Sequence, residues 1–276
     1  MVVARVHLVL RICAAICIAT VLTTGLVMFQ SPRFLGGVKV PFAIPSPIPA
    51  QDIEKNAHSN IGQGSPKYFS EPGGSYNLMH YDTRFFQKEL EPGPRRLVLE
   101  DLIRSYLNIT NYYEVETWLA HGTLMGWWWG EHILPWDTDL DVQLSHGTLD
   151  HIAKNMNFTE FRYSFNRANG QYVSKTYLLD INPHYVEIDR GDGMNIIDAR
   201  WIDTDNGMYV DITAVRERDM PGQWSCKDEH RYSETDLWPL KVSEFEGIRA
   251  LVPARATELL RAEYGSTSTE REQFSG

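Results

Sequence analysis

Cysteine is scarce in this chain, which limits how the fold can be held together. Only three cysteines occur among 276 residues, and Cys13 and Cys17 fall in an apolar N-terminal stretch. Cys226 is alone in the rest of the chain, so neither a disulfide framework nor a cysteine-based zinc site can form there. We expect Cys226 to be a small buried or half-buried side chain.

Basic residues are few compared with acidic ones. The chain has 26 Lys and Arg against 36 Asp and Glu, and its formal net charge is −10. Residues 1–40 contain four basic residues and no acidic one, so the remainder carries −14. Because phosphate contacts dominate affinity for nucleic acids, we expect no nucleic-acid partner. Such an acidic body suits a protein that recruits divalent cations.

Several common catalytic and nucleotide-binding motifs are missing. The sequence contains no G-x-x-x-x-G-K-[ST], no G-x-G-x-x-G, no G-x-S-x-G and no C-x-x-C. An acidic run starting at Asp137 looks like the beginning of a calcium-binding EF-hand loop. That loop requires Gly at its sixth position and Glu at its twelfth, where this chain has Val142 and Thr148. The EF-hand interpretation is therefore excluded.

The N-terminus contains one long apolar run. Ile12–Phe29 is 18 residues without a charge, and Arg5 and Arg11 precede it. As a helix it would span about 27 Å, close to the thickness of a bilayer core. We predict a signal anchor over residues 1–30; a cleaved signal peptide is the alternative. Either would deliver the body to the secretory lumen, and we expect a single-pass Golgi membrane protein.

A proline-rich segment follows the anchor. Five prolines lie between residues 32 and 49, and repeated prolines favour extended, poorly packed chain. We predict a stalk over residues 31–68 and a catalytic domain over residues 69–276. The sequons beginning at Asn108 and Asn157 fit a lumenal, glycosylated body.

Strand and helix patterns alternate through the body and predict a single α/β (α+β) domain, a mixed sheet flanked by helices. We predict helices at Arg95–Leu107, at Leu149–Asn155 with Thr148 as N-cap, and at Ala254–Tyr264, which Gly265 would stop. Residues Gly122–Gly130 predict a short helix or tight turn. The predicted strands are near Glu116–Leu119, Leu140–Leu144, Tyr172–Leu179, Tyr185–Ile188, Asn195–Trp201 and Tyr209–Thr213.

Asn206-Gly207 predicts a hairpin, because this pair tolerates the positive φ of a type I′ turn. A two-residue loop would pair Asp211 with Ile202. Asp211 would then share a face with Arg200 and Asp198, unless the register slips by one residue. Arg200 would either bind phosphate or form a structural salt bridge.

Three alternating aspartates, Asp137, Asp139 and Asp141, are the most informative feature of the chain. A strand points alternate residues to the same face, so these carboxylates would converge, and their repulsion would call for a cation. Oxygen ligands suit Mg²⁺ or Mn²⁺. Asp211 could complete the site.

A glycine-containing turn precedes the aspartates. The amides of Gly122 and Thr123 are candidates for binding a phosphate oxygen. His121 would contact the donor phosphate or act as an acid–base group, or else be a histidine satisfied within the core. The cluster Trp127–Trp129, together with Trp136, would form core and pocket wall or a sugar platform.

Residues Trp118–Val142 resemble the signature of the LicD/fukutin family, in which a Gly-Thr-Leu-Leu-Gly-like turn is followed by Pro-Trp-Asp-x-Asp-x-Asp. The tryptophan cluster is similar to the fungal branch of that family. Weaker similarity extends over residues 70–265 and includes His80-Tyr81-Asp82 and Asp211-Ile212-Thr213. The resemblance implies a nucleotidyltransferase-like fold, with metal held by Asp139, Asp141 and a later strand aspartate, for which Asp211 is the best match.

The resemblance also implies an activity. The family transfers a phosphosugar or phospho-alcohol from a nucleotide-diphosphate donor, such as GDP-mannose or a CDP-alcohol, to a glycan hydroxyl. Fungal relatives are linked to mannosylphosphate addition to cell-wall glycans. We therefore expect a phosphotransferase with Asp137 or Asp211 accepting the hydroxyl proton. The alternatives are a non-catalytic regulatory partner of a glycan phosphotransferase and a metal-dependent glycosyltransferase that uses Asp-x-Asp.

Overall fold

A mixed β-sheet organises the part of the chain that the structure describes. The computed structural model describes residues 48–49, 67–167, 170–187 and 194–270, which lie within one unit, Ala43–Gly276. Its strands are β1 (Ile48–Pro49), β2 (Trp118–Leu119), β3 (Asp141–Ser145), β4 (Thr159–Asn166), β5 (Tyr172–Ile181), β6 (Ala199–Asp203), β7 (Tyr209–Glu217), β8 (Gln223–Ser225), β9 (Arg231–Ser233), β10 (Lys241–Phe245) and β11 (Ile248–Val252).

The main path of the sheet runs β1-β4-β5-β6-β7-β3-β2. Neighbouring strands along this path are antiparallel, except that β3 and β7 are parallel. Strands β8 and β9 continue the sheet from the end of β7, and β10 and β11 form a separate hairpin. The parallel pair requires a long crossover, because a tight turn can connect only antiparallel neighbours.

Helices flank this sheet, as the alternating patterns predict. They are α1 (Pro92–Tyr112), α2 (His121–Gly130), α3 (His146–Met156), α4 (Glu234–Leu237) and α5 (Ala256–Tyr264). Helix α1 packs on β6, β7 and β11, while α3 packs on β3 and β7. The predicted mixed sheet with flanking helices is therefore confirmed for the described residues.

The main core lies between α1 and the sheet. Leu102, Ile103 and Tyr106 of α1 are almost completely buried, and the Tyr106 ring meets the edge of Trp201 on β6 at 6.1 Å between centroids. Burying each such side chain stabilises the fold by about 1.5–3 kcal/mol. This packing holds α1 against the sheet whose strands carry Asp141 and Asp211.

The three aspartates do not lie on one strand, so that prediction was wrong. Strand β3 begins at Asp141, and Asp137 and Asp139 lie in the preceding loop. The Asp137 amide donates to Leu134 O at 3.0 Å, which makes a turn before the strand starts. A strand would have stacked the three carboxylates on one face, whereas the loop lets them approach from different directions.

The hairpin register also differs from the prediction. Arg200, not Ile202, is the partner of Asp211, because five residues, Thr204–Met208, connect β6 to β7 instead of a two-residue loop. The shift is two residues, which preserves the alternation of faces, so Arg200 still lies beside Asp211. Asp198 instead pairs with Arg216 and Lys227 in a separate buried network.

Some local predictions were wrong at positions where a side chain accepts a hydrogen bond from a backbone amide. The strand predicted at Tyr185–Ile188 is a 3₁₀ helix, Pro183–Val186, in which Asn182 accepts a hydrogen bond from the His184 amide. Ile188 lies outside the described residues. The N-cap of α3 is Ser145, which accepts from the Thr148 amide, rather than Thr148 itself.

The predicted strand at Asn195–Trp201 begins only at Ala199. Asn195 has φ 56° and accepts a hydrogen bond from the Tyr68 amide, so it is not extended. Two other predictions were close: α5 runs from Ala256 to Tyr264, and Gly265, with φ 94°, follows its end. Cys226 is buried, as expected.

The two sequons differ in their surroundings. Asn108 lies on α1, and its amide nitrogen donates to Arg104 O and to the Tyr163 hydroxyl, both at 2.8 Å. Asn157 is exposed at the end of α3. Of these two asparagines, Asn157 is exposed and Asn108 is half-buried.

The predicted anchor and most of the predicted stalk lie outside the described residues. Within the stalk, Ile48–Pro49 pairs with Thr159–Glu160 of β4. Among the residues that the structure does describe, no helix is long and apolar enough to cross a membrane.

Gly126 offers a test of how closely α2 approaches the segment that follows it. A Cβ at Gly126 would lie 2.5 Å from His132 O, which is backbone and cannot move freely. We expect Gly126→Ala to lower the free energy of unfolding by about 1–3 kcal/mol, although alanine is normally the better helix residue. Urea unfolding followed by circular dichroism would measure the change.

Gly130→Ala is the matched control, since a Cβ there meets nothing within 4 Å on the same helix. We expect it to be neutral or to stabilise by up to about 1 kcal/mol. Equal effects of the two substitutions would contradict the close approach.

Candidate active site

Asp141 and Asp211 lie side by side on the two parallel strands. They are register partners in the β3–β7 ladder, and the Asp211 amide donates to Leu140 O at 2.8 Å. Neighbouring strands are about 4.8 Å apart. The fold therefore places the first residue of β3 against the predicted third carboxylate, Asp211, although 69 residues of sequence separate them.

Asp137 and Asp139 approach these two from the loop before β3. Asp139 is half exposed. Asp137 has one buried carboxylate oxygen, Oδ2, that receives no hydrogen bond from the described residues. Burial, and then the neighbouring Asp139 carboxylate, raise the pKa of Asp137 to about 8.

The same crowding acts on the strand aspartates. Burial raises the pKa of Asp141 well above its usual value, and the charges of Asp139 and Asp211 raise it further, against a lowering by His121. Burial also raises the pKa of Asp211, although Arg200 opposes this. Carboxylates whose negative charge is not compensated by neighbouring cations are suited to bind a divalent metal ion.

The donor set fits a hard ion such as Mg²⁺ or Mn²⁺, with Asp139, Asp141 and Asp211 as the oxygen ligands. The unpartnered Asp137 Oδ2 supports this fit, because a buried anionic oxygen without a donor is costly. In the described part of the chain the ligand atoms of these aspartates do not all lie within 4.8 Å of one another. Binding would therefore draw the carboxylates together.

The N-terminus of α2 is held against this cluster. The Ala120 amide donates to Asp141 O at 3.2 Å, and the Thr123 hydroxyl accepts from the Asp141 amide at 2.8 Å. A Cβ at Gly122 would lie 3.2 Å from Asp137 Oδ2. The predicted phosphate-binding residues Gly122 and Thr123 are thus in the site, and the Thr123 side chain fixes the start of β3.

Arg200 is the cation that compensates Asp211. Its Nε donates to Asp211 Oδ1 at 2.8 Å and its Nη2 to Glu71 Oε1 at 2.6 Å, and the residue is 2% exposed. The guanidinium lies 3.6 Å from the centroid of the Tyr209 ring and 4.6 Å from that of Phe69. Of the two predicted roles, the structure shows the salt bridge.

Sequence reasoning did not assign His80 to the site. Its Nδ1 lies 4.0 Å from Asp139 Oδ2, and its Nε2 is buried without a hydrogen-bond partner among the described residues. Burial lowers the pKa of His80, against the charges of Asp139 and Asp211. Its neighbours Asp82 and Arg84 form an ion pair with each other instead. No local sequence pattern distinguishes His80, which lies near Asp139, from Asp82 and Arg84, which pair with each other.

His121 lies at the entrance to α2, with its ring directed away from the helix. Its Nδ1 is 2.7 Å from Glu263 Oε1 of α5. Burial lowers the pKa of His121, but the hydrogen bond with Glu263 and nearby negative charges outweigh this, so the pKa is raised. The partner Glu263 is 142 residues away in sequence and could not be predicted from the turn.

The tryptophan cluster anchors α2 to the C-terminal part of the domain. The indole nitrogens of Trp127, Trp128 and Trp129 donate to Ser243 Oγ, Thr257 Oγ1 and Ser268 O. Trp136, by contrast, is 60% exposed beside Asp137. The three consecutive tryptophans are therefore packing residues, whereas Trp136 is an exposed side chain.

Comparison with known proteins identifies the family. A family model described as "LicD/FKTN/FKRP, nucleotidyltransferase domain" matches residues 114–255, which is just over half of the chain. The chain belongs to the LicD family. The resemblance seen in residues Trp118–Val142 is confirmed, and the matched range contains the aspartates, the glycine turn and Arg200.

Two curated relatives of this LicD protein come from Saccharomyces cerevisiae. Mannosyltransferase regulator 4 is 29% identical over 216 residues, which cover 74% of this chain and 18% of the yeast protein. Mannosyltransferase regulator 14 is 32% identical over 157 residues, which cover 54% of this chain and 16% of the yeast protein. The chain thus spans less than a fifth of the length of either relative.

Arg200 gives a stability test of this site. Arg200→Gln would leave Asp211 and Glu71 without their cation, and removing one partner of a buried ion pair costs about 3–5 kcal/mol. We expect the free energy of unfolding, measured in urea, to fall by that amount.

The control is Arg162→Gln, on an exposed position of β4, which should change stability by no more than about 0.5 kcal/mol. A similarly small loss at Arg200 would show that the ion pair is not required for the fold.

Proposed function

We propose that this LicD protein is a metal-dependent glycan phosphotransferase. The pairing of Asp141 with Asp211 across the parallel strands, with Asp139 and Asp137 beside them, carries the proposal. The four carboxylates can attract a cation. That cation and the N-terminus of the neighbouring helix can together attract a phosphate. Membership of the family and the names of the yeast relatives support a role in glycan modification.

The substrates would be a nucleotide-diphosphate donor, such as GDP-mannose or a CDP-alcohol, and a glycan. A glycan hydroxyl oxygen would attack the phosphorus that carries the sugar or alcohol. The P–O bond to the nucleoside monophosphate would break, and the product would be a phosphodiester. The reaction would take place in the Golgi lumen, with the N-terminal segment as the membrane anchor.

The roles of the residues follow from their contacts. Asp139, Asp141 and Asp211 would hold Mg²⁺ or Mn²⁺, which when bound neutralises charge on the donor diphosphate. The amides of Gly122 and Thr123 would bind a phosphate oxygen, because a helix N-terminus favours anions. Asp137 would accept the hydroxyl proton, since Asp211 is already engaged by Arg200. Arg200 is a positioning residue for Asp211.

A second candidate function is a non-catalytic partner that regulates a separate mannosyltransferase. The observation that favours it is that both yeast relatives are named as regulators. In that case the carboxylates would bind a ligand or a metal without turnover.

Donor turnover distinguishes the two functions. The full chain is incubated with Mn²⁺, an acceptor mannan and GDP-mannose, a CDP-alditol or CDP-choline, and the released nucleotides are separated by chromatography. We expect a nucleoside monophosphate with one donor, and we expect Asp139→Asn to reduce its rate by at least about 100-fold, because it removes a charged metal ligand. EDTA should abolish release.

Asp219→Asn is the control, since Asp219 is exposed and lies beyond the end of β7. Release of a nucleoside diphosphate instead would indicate glycosyl transfer. No release with any donor, together with cells in which Asp139→Asn still supports glycan phosphorylation, would favour the regulator and overturn the proposal.

A further inference from the structure

A second cluster of potential metal ligands lies where α2 begins. His121, His230 and Glu263 each offer one ligand atom, and these atoms all lie within 4.8 Å of one another. His121 Nδ1 is 2.7 Å and His230 Nε2 is 3.8 Å from Glu263 Oε1. We propose that these three side chains bind Zn²⁺, separately from the aspartates.

The chemistry of the donors points to zinc rather than magnesium. Two imidazole nitrogens and one carboxylate oxygen, with a fourth position left open, form a common zinc ligand set. Mg²⁺ prefers oxygen ligands throughout, which the aspartates supply and this cluster does not. The two clusters therefore differ in the ion that each selects.

The spacing of the cluster is close to what a zinc ion requires. Ligands about 2.0–2.1 Å from a tetrahedral ion lie ~3.3 Å apart. The His121–Glu263 pair is somewhat closer than this and the His230–Glu263 pair somewhat wider. Movements of about 0.5 Å, within the reach of side-chain rotation, would bring both pairs to that distance.

Two residues beside the ligands have left-handed backbone conformations. His121 has φ 48°, and Glu229, the neighbour of His230, has φ 60°. Residues other than glycine rarely adopt positive φ, and such strain concentrates at ligand-binding sites. The imidazoles of His121 and of His230, the residue after Glu229, lie close to the same carboxylate, Glu263.

Neighbouring groups also orient His230. Cys226 Sγ lies 3.6 Å and Asp228 Oδ2 lies 3.9 Å from His230 Nδ1. These contacts engage the ring nitrogen that faces away from Glu263, which leaves Nε2 to bind a metal. Such outer contacts are typical of metal-binding histidines, since they fix the tautomer and the direction of the ring.

The ion would connect three distant segments. His121 opens α2, His230 precedes β9, and Glu263 lies in the last turn of α5. Because His121 immediately precedes Gly122, the ion would fix the turn that contacts Asp137. The proposed zinc site is thus a positioning device for the first turn of α2, and it does not depend on the phosphotransfer reaction.

The test measures Zn²⁺ binding directly. The full chain is stripped with a chelator, and Zn²⁺ is titrated against a fluorescent zinc indicator near neutral pH. We expect one equivalent of Zn²⁺ to be lost in His230→Gln and in Glu263→Gln, with affinity reduced by more than about 100-fold. Asp139→Asn should keep the zinc affinity of the unaltered chain. Zn²⁺ should raise Tm in the unaltered chain but not in His230→Gln.

Three results would each overturn the proposal: no zinc binding, zinc binding unchanged in both His230→Gln and Glu263→Gln, or loss of zinc in Asp139→Asn. Circular dichroism verifies the fold of each variant. Should His230→Gln fail to fold, Glu263→Gln, which keeps the shape of the side chain, decides the outcome.

Discussion

The parallel pairing of β3 with β7 is the constraint on which the site depends. It places Asp141 opposite Asp211 in the ladder of an otherwise largely antiparallel sheet. Neighbouring strands lie about 4.8 Å apart, so negative charges on these two carboxylates repel each other. The hydrophobic packing of α1 and α3 on the same strands must hold them in register against that repulsion.

Arg200 provides the fixed positive charge that makes this arrangement tolerable. Its guanidinium is held from two directions by carboxylates, Asp211 and Glu71, and packs against the ring faces of Tyr209 and Phe69. One arginine cannot neutralise all the carboxylates of the cluster, so net negative charge remains around Asp139 and Asp141. Arg200 therefore fixes Asp211 on β7, while the negative charge around Asp139 and Asp141 is left to attract a cation.

The sequence predicted which residues form the site better than how those residues are arranged. The glycine turn, the aspartate run and the family resemblance are local patterns, and the family match confirms the resemblance. The shared face of Arg200 and Asp211 followed from hairpin alternation, which a two-residue error in register did not change. His80 was not assigned to the site, because it reaches Asp139 through a tertiary contact that no local pattern encodes. His230 and Glu263, which lie beside His121, were missed for the same reason. The pairing of β3 with β7 was missed for the same reason.

The distance along the chain between the two paired aspartates has a consequence for how the protein folds. Between Asp141 and Asp211 the chain forms α3, β4, β5 and β6, so pairing β7 with β3 closes a long loop. Closing such a long loop is slow compared with forming local hairpins. During synthesis, an emerging chain would therefore carry its acidic loop without Arg200. The aspartate cluster can be completed only after Arg200 and Asp211 have been synthesised.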